Sequence, residues 1–319
     1  MIEQNKIYQG DTLEVLKSWP DEFVECVITS PPYWGLRDYG TKGQLGLEKT
    51  PEEYVAKMVE VFRECKRVLK KEGTVWLNLG DSYANGHVGR NDGGIIDGKQ
   101  KKIEGLENNI HRKIPKGLKH KDLVGIPWRV AFALQADGWY LRQDIIWYKP
   151  NPMPESVTDR CTKSHEYVFL LAKSQKYYFD AEAIKEPMRG DAKAGMMRGS
   201  GHHEERGFPN GPQNHINRYF NKSEEEAKIV FKAGRNKRSV WTVTTKPFKE
   251  AHFATFPPDL IIPMVKAGCP KEGVVLDPFI GSGTTAVVAK SLGRNYLGIE
   301  LNPAYIKMAE RRLAQEVLF

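Results

Sequence analysis

The sequence predicts an α/β fold: a doubly wound, mostly parallel sheet with helices on both faces. Three observations predict it. Strand–helix–strand alternation runs over the first 83 residues and returns after about residue 246, the mark of parallel strands joined by crossovers. Two apolar strands end in turns rich in chemistry, Thr29-Ser30-Pro31-Pro32-Tyr33-Trp34 and Asp277-Pro278-Phe279-Ile280-Gly281-Ser282-Gly283-Thr284. The carboxyl ends of parallel strands are where such sheets bind ligands. Finally, 319 residues with 40% hydrophobic and 28% charged suffice to bury the core of one large domain with an insertion, or of two domains.

Ile7 to Asp11 reads as a short strand entering a polar loop. Thr12 is placed to cap the next helix, with Leu13, Leu16 and Trp19 on its apolar face. Phe23 to Ile28 is an apolar run of buried-strand length. Pro31 and Pro32 then forbid helix and sheet ladder alike, so the chain leaves the sheet as a stiff extended turn. Taken alone, that turn is as readily a surface feature as a site. Residues 34–49 are loop, and Thr50-Pro51-Glu52-Glu53 starts a helix with a cap, a first-turn proline and two acids at the positive end of the dipole. Tyr54, Met58, Val61, Phe62, Cys65 and Leu69 recur at helical spacing, and Lys70-Lys71-Glu72-Gly73 closes the helix. Thr74 to Leu79 is the next buried strand, ending at Gly80-Asp81-Ser82-Tyr83.

Between about residues 84 and 120 periodicity lapses into Gly, Asn, Lys and Arg. This is a basic, flexible insertion, read either as a solvated excursion or as an arm that orders on a phosphate backbone. Core elements resume over 121–180: a helix from Pro127 to Leu134, a strand over 139–148, and a strand His165–Ala172, the two strands pairing antiparallel at the sheet edge. Residues 181–245 are again basic, with Tyr219, Phe220, Phe231 and Trp241 interleaved. They read as a nucleic-acid-contacting module in which Lys232, Arg235, Lys237 and Arg238 touch phosphate, a plain solvated face being the other reading. His202 and His203 lack a third residue at ligand spacing and are read as surface histidines.

In the last segment, 246–319, the strand Val274–Leu276 ends in Asp277, and Thr284 opens a helix past a Gly281-Ser282-Gly283 turn. The turn lacks the third glycine of a dinucleotide loop and the lysine of a P-loop, so it need not cradle a pyrophosphate. Gly281 and Gly283 leave room for a ligand close to the backbone. The strand Asn295–Ile299 ends in Glu300, an acid suited to the two hydroxyls of a ribose, and a helix follows from Pro303 to about Val317. A nucleoside-bearing ligand fits this series. The strand ending at Asp11 continues the sheet beyond the last strand, which makes the order of the sheet a circular rotation of the usual one.

A net charge of +8 and a pI near 9.1 favour a polyanionic partner. Cys26, Cys65, Cys161 and Cys269 contain no C-x-x-C pair, which argues against zinc and disulfides and fits a reducing compartment. No apolar run reaches membrane-spanning length and the N-terminus lacks a signal-peptide pattern, so a cytoplasmic protein without membrane or metal partners is expected.

On these motifs the chain resembles the amino-methylating DNA methyltransferases that use S-adenosylmethionine, in the group whose catalytic motif precedes the cofactor motif. The likeness covers nearly all of the chain outside the two variable segments. Asp277 to Thr284 resembles the cofactor loop, Glu300 the ribose acid, and Asp11 the acid beside the adenine of the cofactor. His252-Phe253-Ala254-Thr255-Phe256-Pro257 is similar to the family's H-x-A-x-F-P segment, which closes over the methionine end. Ser30-Pro31-Pro32-Tyr33 resembles the catalytic tetrapeptide. The resemblance implies a Rossmann-like methyltransferase core: a catalytic half over 1–83, the basic insertion 84–120, a core continuation 121–180, a target-recognition region 181–245 and a cofactor half 246–319. It implies S-adenosylmethionine as cofactor, held by Asp277, Pro278, Phe279, Gly281, Ser282, Gly283, Thr284, Glu300, Asp11, Thr29, His252 and Phe256. Duplex DNA is the implied partner and a bacterial or phage cytoplasm the implied setting; a homodimer and a cognate restriction endonuclease stay open.

In that group serine at the first motif position goes with cytosine N4, and Asp or Asn with adenine N6. Ser30 therefore implies cytosine N4, with adenine N6 and a catalytically inactive DNA-binding homologue as alternatives. Tyr33 is expected to stack on a flipped base, with Trp34 as the core alternative, while the Ser30 hydroxyl and Pro31 carbonyl hold the amino group. A serine hydroxyl is a poor base at neutral pH, so the expected step is direct in-line methyl transfer with the proton lost afterwards. Cytosine C5 chemistry is disfavoured: Cys26 and Cys65 lie in apolar elements, and Cys161 and Cys269 lack an activating partner.

Overall fold

Strands β1 (Lys6–Gln9), β2 (Val24–Thr29), β3 (Leu69–Leu79), β4 (Tyr140–Tyr148), β5 (His165–Ala172), β6 (Val240–Thr242), β7 (Val274–Asp277) and β8 (Asn295–Glu300) form one eight-stranded sheet in the order β1-β8-β7-β2-β3-β5-β4-β6. The computed structural model describes residues 2–35, 41, 43–84, 114–187, 234–245 and 256–315. Outside them lie His252, Lys232, Tyr219, Phe220, Phe231, the paired histidines and most of the 84–120 insertion. The pairings β1/β8, β8/β7, β7/β2, β2/β3 and β4/β6 are parallel, and β5 is antiparallel to both β3 and β4. Among these strands, β5 therefore runs against the rest.

Helices α1 (Thr12–Lys17), α2 (Pro51–Val68) and α3 (Ile126–Ala136) cover one face of the sheet. Leu16, Tyr54, Met58, Phe62, Val130 and Leu134 pack there with Val75, Leu77, Leu79, Phe169 and Leu171. Residues of opposite parity, such as Trp76 and Cys26, meet α4 (Pro258–Gly268), which lies against β2 and β3 on the other face. Helices α5 (Thr284–Ser291) and α6 (Pro303–Ala314) follow β7 and β8. Strands covered on both faces explain why β2, β3 and β7 read as near-continuous apolar runs. Among the described residues, no helix is long and apolar enough to cross a membrane.

The structure corrects several expectations. Asp11 rather than Thr12 caps α1: its Oδ1 accepts from Leu13 N at 3.0 Å and Glu14 N at 3.2 Å. Thr12 is the first helical residue, and its hydroxyl donates to the Pro278 carbonyl at 2.7 Å. The Lys70–Gly73 stretch does not close α2, which ends at Val68; Leu69 turns straight into β3 with ψ 134°. Gly73 is needed inside that strand because a Cβ would sit 2.4 Å from Leu69 Cγ. The pair β4/β5 is antiparallel, but β6 lies outside β4 and forms the edge. Trp241 of β6 is therefore no nucleic-acid contact; it is 4% exposed and packs against Trp76. Helix α4 matches no expected element: Pro258 stands in its first turn and Pro263 inside it, so its proline content hides it from pattern reading.

The chain divides into two units, Met1–Asp180 with Ser239–Phe319, and Ala181–Arg238.

Candidate active site

Because every strand but β5 points the same way, the carboxyl ends of β1, β8, β7, β2, β3 and β4 share one edge of the sheet. The reversal of β5 brings its first residues, His165 and Glu166, to that same edge. The strand tips are laced together there. Gly10 N donates to the Glu300 carbonyl at 3.0 Å, and Ile280 N to the Ile299 carbonyl at 3.0 Å.

Asp277 is the hub of the turn that runs from it to Thr284. It is 1% exposed, and its Oδ1 accepts from Thr29 Oγ1 at 2.6 Å and Phe279 N at 3.1 Å, while Oδ2 accepts from Thr285 Oγ1 at 2.6 Å. Burial pushes its pKa up to about 6 against these three stabilising hydrogen bonds. The bond from Thr29 joins the last residue of β2 to the last residue of β7, so the two chemistry-bearing turns start from a shared carboxylate.

Glu300 Oε2 accepts from Gly281 N at 3.0 Å and Oε1 from Asn302 N at 2.8 Å; burial raises its pKa. Gly281 has φ +50°, and a Cβ there would meet nothing nearer than the Phe279 carbonyl oxygen at 4.0 Å. Gly283 has φ +83°, and a Cβ there would meet Ala309 Cβ at 2.7 Å, so the packing of α6 requires a glycine here. Ser282 and Thr284 are likewise turned to α6: Arg312 Nη1 donates to Ser282 Oγ at 2.9 Å and Thr284 Oγ1 at 3.1 Å. Asp11 is exposed at the tip of β1, Pro278 is buried, and Phe279 and Phe256 are half-buried.

The Ser30–Trp34 turn is held from three directions. Tyr54 Oη of α2 donates to the Pro32 carbonyl at 2.9 Å, and Trp34, 5% exposed, donates from Nε1 to the Glu48 carbonyl at 3.0 Å. Trp34 is thus a core residue. Ser30 and Tyr33 are half-buried, and Ser30 Oγ donates to Tyr33 Oη at 3.2 Å. Tyr33 Oη donates in turn to Glu166 Oε2 at 2.7 Å and lies 3.2 Å from Asn78 Oδ1. Asn78 Nδ2 reaches Glu166 Oε2 at 3.1 Å, and Lys149 Nζ pairs with Glu166 Oε1. Burial first, and the Glu166 charge second, push the Tyr33 hydroxyl well above its ordinary pKa. Gly80 backs the ring: a Cβ there would lie 2.6 Å from Tyr33 Cε2.

Sequence reading missed Asn78, Lys149, Glu166 and Thr285. The signal for the first and third was an amide in the otherwise apolar run of Val75 to Leu79 and an acid heading the apolar run Tyr167 to Ala172. Neither says which loop the group serves, because that depends on the reversal of β5.

A model of the N6/N4 DNA methylases matches residues 24–311. The chain belongs to this family. The methylase is 46% identical to the Type II methyltransferase M.Cfr9I of Citrobacter freundii, over 97% of this chain and 88% of the relative. Its fold matches the solved PvuII DNA methyltransferase, described as cytosine-N4-specific, with TM-score 0.63 at 18% identity, over 100% of this chain and 89% of that one. A putative DNA modification methylase from Thermus thermophilus, solved in complex with S-adenosyl-L-methionine, matches with TM-score 0.56 at 23% identity, over 97% of this chain and 94% of that one.

The methylase's three buried thiols are poor nucleophiles: burial raises Cys26 and Cys65 far above their ordinary values and pushes Cys269 up to about 12. Within the unit Ala181–Arg238, three of the basic residues expected on phosphate face one acid. Arg235, Lys237 and Arg238 lie 3.6, 3.4 and 3.8 Å from Glu186 carboxylate oxygens. That acid offsets part of their charge.

Proposed function

We propose that this DNA methylase transfers a methyl group from S-adenosylmethionine to the N4 amino group of a cytosine flipped out of duplex DNA. The observation that carries the reading is the direction of the Ser30 hydroxyl bond. Its single proton goes to Tyr33 Oη, so the oxygen presents lone pairs to an incoming N–H. A neutral acceptor at this position, where the family's adenine enzymes usually carry Asp or Asn, favours cytosine.

The donor set suits the cofactor. Glu300 uses its oxygens on two backbone N–H groups, and a carboxylate has about four acceptor sites, so it retains capacity for ribose hydroxyls. Asp11 takes both of its cap bonds on Oδ1. At Gly281 a Cβ would meet nothing nearer than the Phe279 carbonyl oxygen at 4.0 Å, so in this reading a ligand lies against the loop backbone there. When bound, S-adenosylmethionine supplies an electrophilic sulfonium methyl. The Asp277, Glu300 and Asp11 loops hold it in this reading, with the Phe256 segment at its methionine end. The sheet, with β1 beside β8, supports a circular rotation of the family's common strand order.

The amino lone pair of cytosine is delocalised into the ring, and in duplex DNA the base is paired and stacked. Extrusion costs a few kcal/mol. Stacking on the Tyr33 ring offsets roughly 1–3 kcal/mol of it. Ser30 Oγ and the Pro31 carbonyl then turn the amino group so that its lone pair faces the methyl. Placement of this kind contributes up to roughly 7–11 kcal/mol when the reacting atoms are well aligned. The stiffness of two prolines and the Tyr54 tether keeps those acceptors from relaxing. No step requires a thiol.

The test is product identity. Unmodified genomic DNA is incubated with the protein and S-adenosylmethionine, digested to nucleosides and weighed. N4-methyldeoxycytidine is expected; N6-methyldeoxyadenosine without it overturns the base assignment, and no methylated nucleoside with DNA still bound leaves an inactive DNA-binding homologue.

A further inference from the structure

The methylated amino group must lose a proton, and the chain of donors at the target turn has a direction. Ser30 Oγ donates to Tyr33 Oη at 3.2 Å, and Tyr33 Oη donates to Glu166 Oε2 at 2.7 Å. Both donors point the same way, from the amino-group acceptor toward a carboxylate. We propose that Ser30, Tyr33 and Glu166 form a proton exit path that carries the proton from the methylated amino nitrogen to the Glu166 carboxylate. The proposal rests on the reading that Ser30 accepts from the target amino group, and it holds for cytosine N4 and adenine N6 alike.

The step balances as follows. Methyl transfer leaves the amino nitrogen with four bonds and a positive charge. One N–H bond breaks, and its electron pair returns to nitrogen and to conjugation with the ring. That proton bonds to Ser30 Oγ as the serine's own proton moves to Tyr33 Oη, and the tyrosine's proton moves to Glu166 Oε2. Base cation and carboxylate become neutral base and carboxylic acid, while Ser30 and Tyr33 end as neutral hydroxyls. An exocyclic nitrogen that has lost conjugation is a far stronger acid than a carboxylic acid, so the transfer runs downhill.

The surroundings suit this role. A tyrosinate is disfavoured at Tyr33 by burial and by the neighbouring carboxylate, so the proton passes through the hydroxyl without the tyrosine becoming an anion. Asn78 Nδ2 and Lys149 Nζ hold the two oxygens of Glu166 in place. The Glu166 and Lys149 side chains retain 16% and 18% exposure, which gives the proton a way from the carboxyl to water. A tyrosine needed only for stacking would require no carboxylate at its hydroxyl, since an aromatic face alone binds a base.

The experiment compares wild type, Glu166→Gln and Tyr33→Phe on unmodified genomic DNA with labelled S-adenosylmethionine. Wild-type methylation is the control, and its absence sinks the reading beneath the proposal and not the proposal alone. For Glu166→Gln, cofactor affinity by equilibrium dialysis is expected to be retained. A burst of methylated DNA equal to the enzyme should precede turnover slowed by about 100-fold, the low end for a positioned proton acceptor. The slow phase should become slower still in deuterium oxide. Tyr33→Phe keeps the ring and should behave likewise, and the double variant should be no slower than the slower single one, as for residues that act as a unit. Should Glu166→Gln fail to fold by circular dichroism, Tyr33→Phe carries the test. Unchanged turnover overturns the path. So does a loss without burst or deuterium effect, which would make Glu166 a group that only positions Tyr33.

Discussion

A buried carboxylate with three donors on it is the residue on which this site turns. Asp277 holds Thr29, Thr285 and the Phe279 amide, yet burial outweighs them and its pKa rises to about 6, against an ordinary Asp near 3.9. A carboxyl whose folded pKa lies above its unfolded one binds its proton more tightly when folded. Its contribution to stability is present below about pH 4 and is lost as pH rises through about 6. Two pKa units amount to about 3 kcal/mol. Asp277→Asn removes the titration, so its stability relative to wild type should rise by up to that amount between about pH 4 and pH 7, read from urea midpoints at both. A difference independent of pH would mean that the buried carboxylate is not strained. Gly80 gives a second residue-scale prediction. A methyl 2.6 Å from Tyr33 Cε2 has to push the ring aside, so Gly80→Ala should cut methyl transfer while leaving S-adenosylmethionine affinity in place. Normal transfer by that variant would show that the ring position is not critical.

At the scale of elements, α2 does two jobs. Its apolar face, including fully buried Phe62 and Met58, closes one side of the sheet, and the same helix carries Tyr54, whose hydroxyl tethers the Pro32 carbonyl at 2.9 Å. The two are separable. Phe62→Ala should cost about 3–5 kcal/mol of stability, with kcat per folded molecule little changed. Tyr54→Phe should cost about 1 kcal/mol in stability and lower kcat, because a looser turn presents its acceptors less well. If Tyr54→Phe leaves kcat untouched, proline stiffness alone holds the turn. Strand β5 does comparable work in the sheet: running against its neighbours, it delivers Glu166 to the edge where the other described strands place their carboxyl ends.

For the whole molecule, a net charge of +8 predicts attraction to duplex DNA that falls with salt. Arg235, Lys237 and Arg238 share Glu186, so they enter with part of their charge already matched. Replacing all three with alanine should weaken DNA binding and reduce the slope of log K against log salt by at most about 0.9 for each phosphate left without its cation. An unchanged slope, measured by fluorescence anisotropy over a salt series, would assign the three cations to the fold of their own unit.

Local chemistry along the chain was enough to read the α/β class, most strands and helices, and the two turns whose motifs carry the family resemblance. These rest on local information: apolar runs, proline stiffness, caps and short motifs, each set by residues close in the chain. It also misled locally, because cap and strand boundaries depend on competition for a few hydrogen bonds. Asp11 outcompeted Thr12 as a cap because Thr12's hydroxyl found Pro278, 266 positions away. What meets at the sheet edge follows from the packing of the whole sheet. Thr29 with Asp277, Gly80 behind Tyr33, and Asn78, Lys149 and Glu166 around its hydroxyl are contacts made by strand order and by one reversed strand. No local pattern encodes such neighbours, since the energy that selects them is the burial of both sheet faces at once.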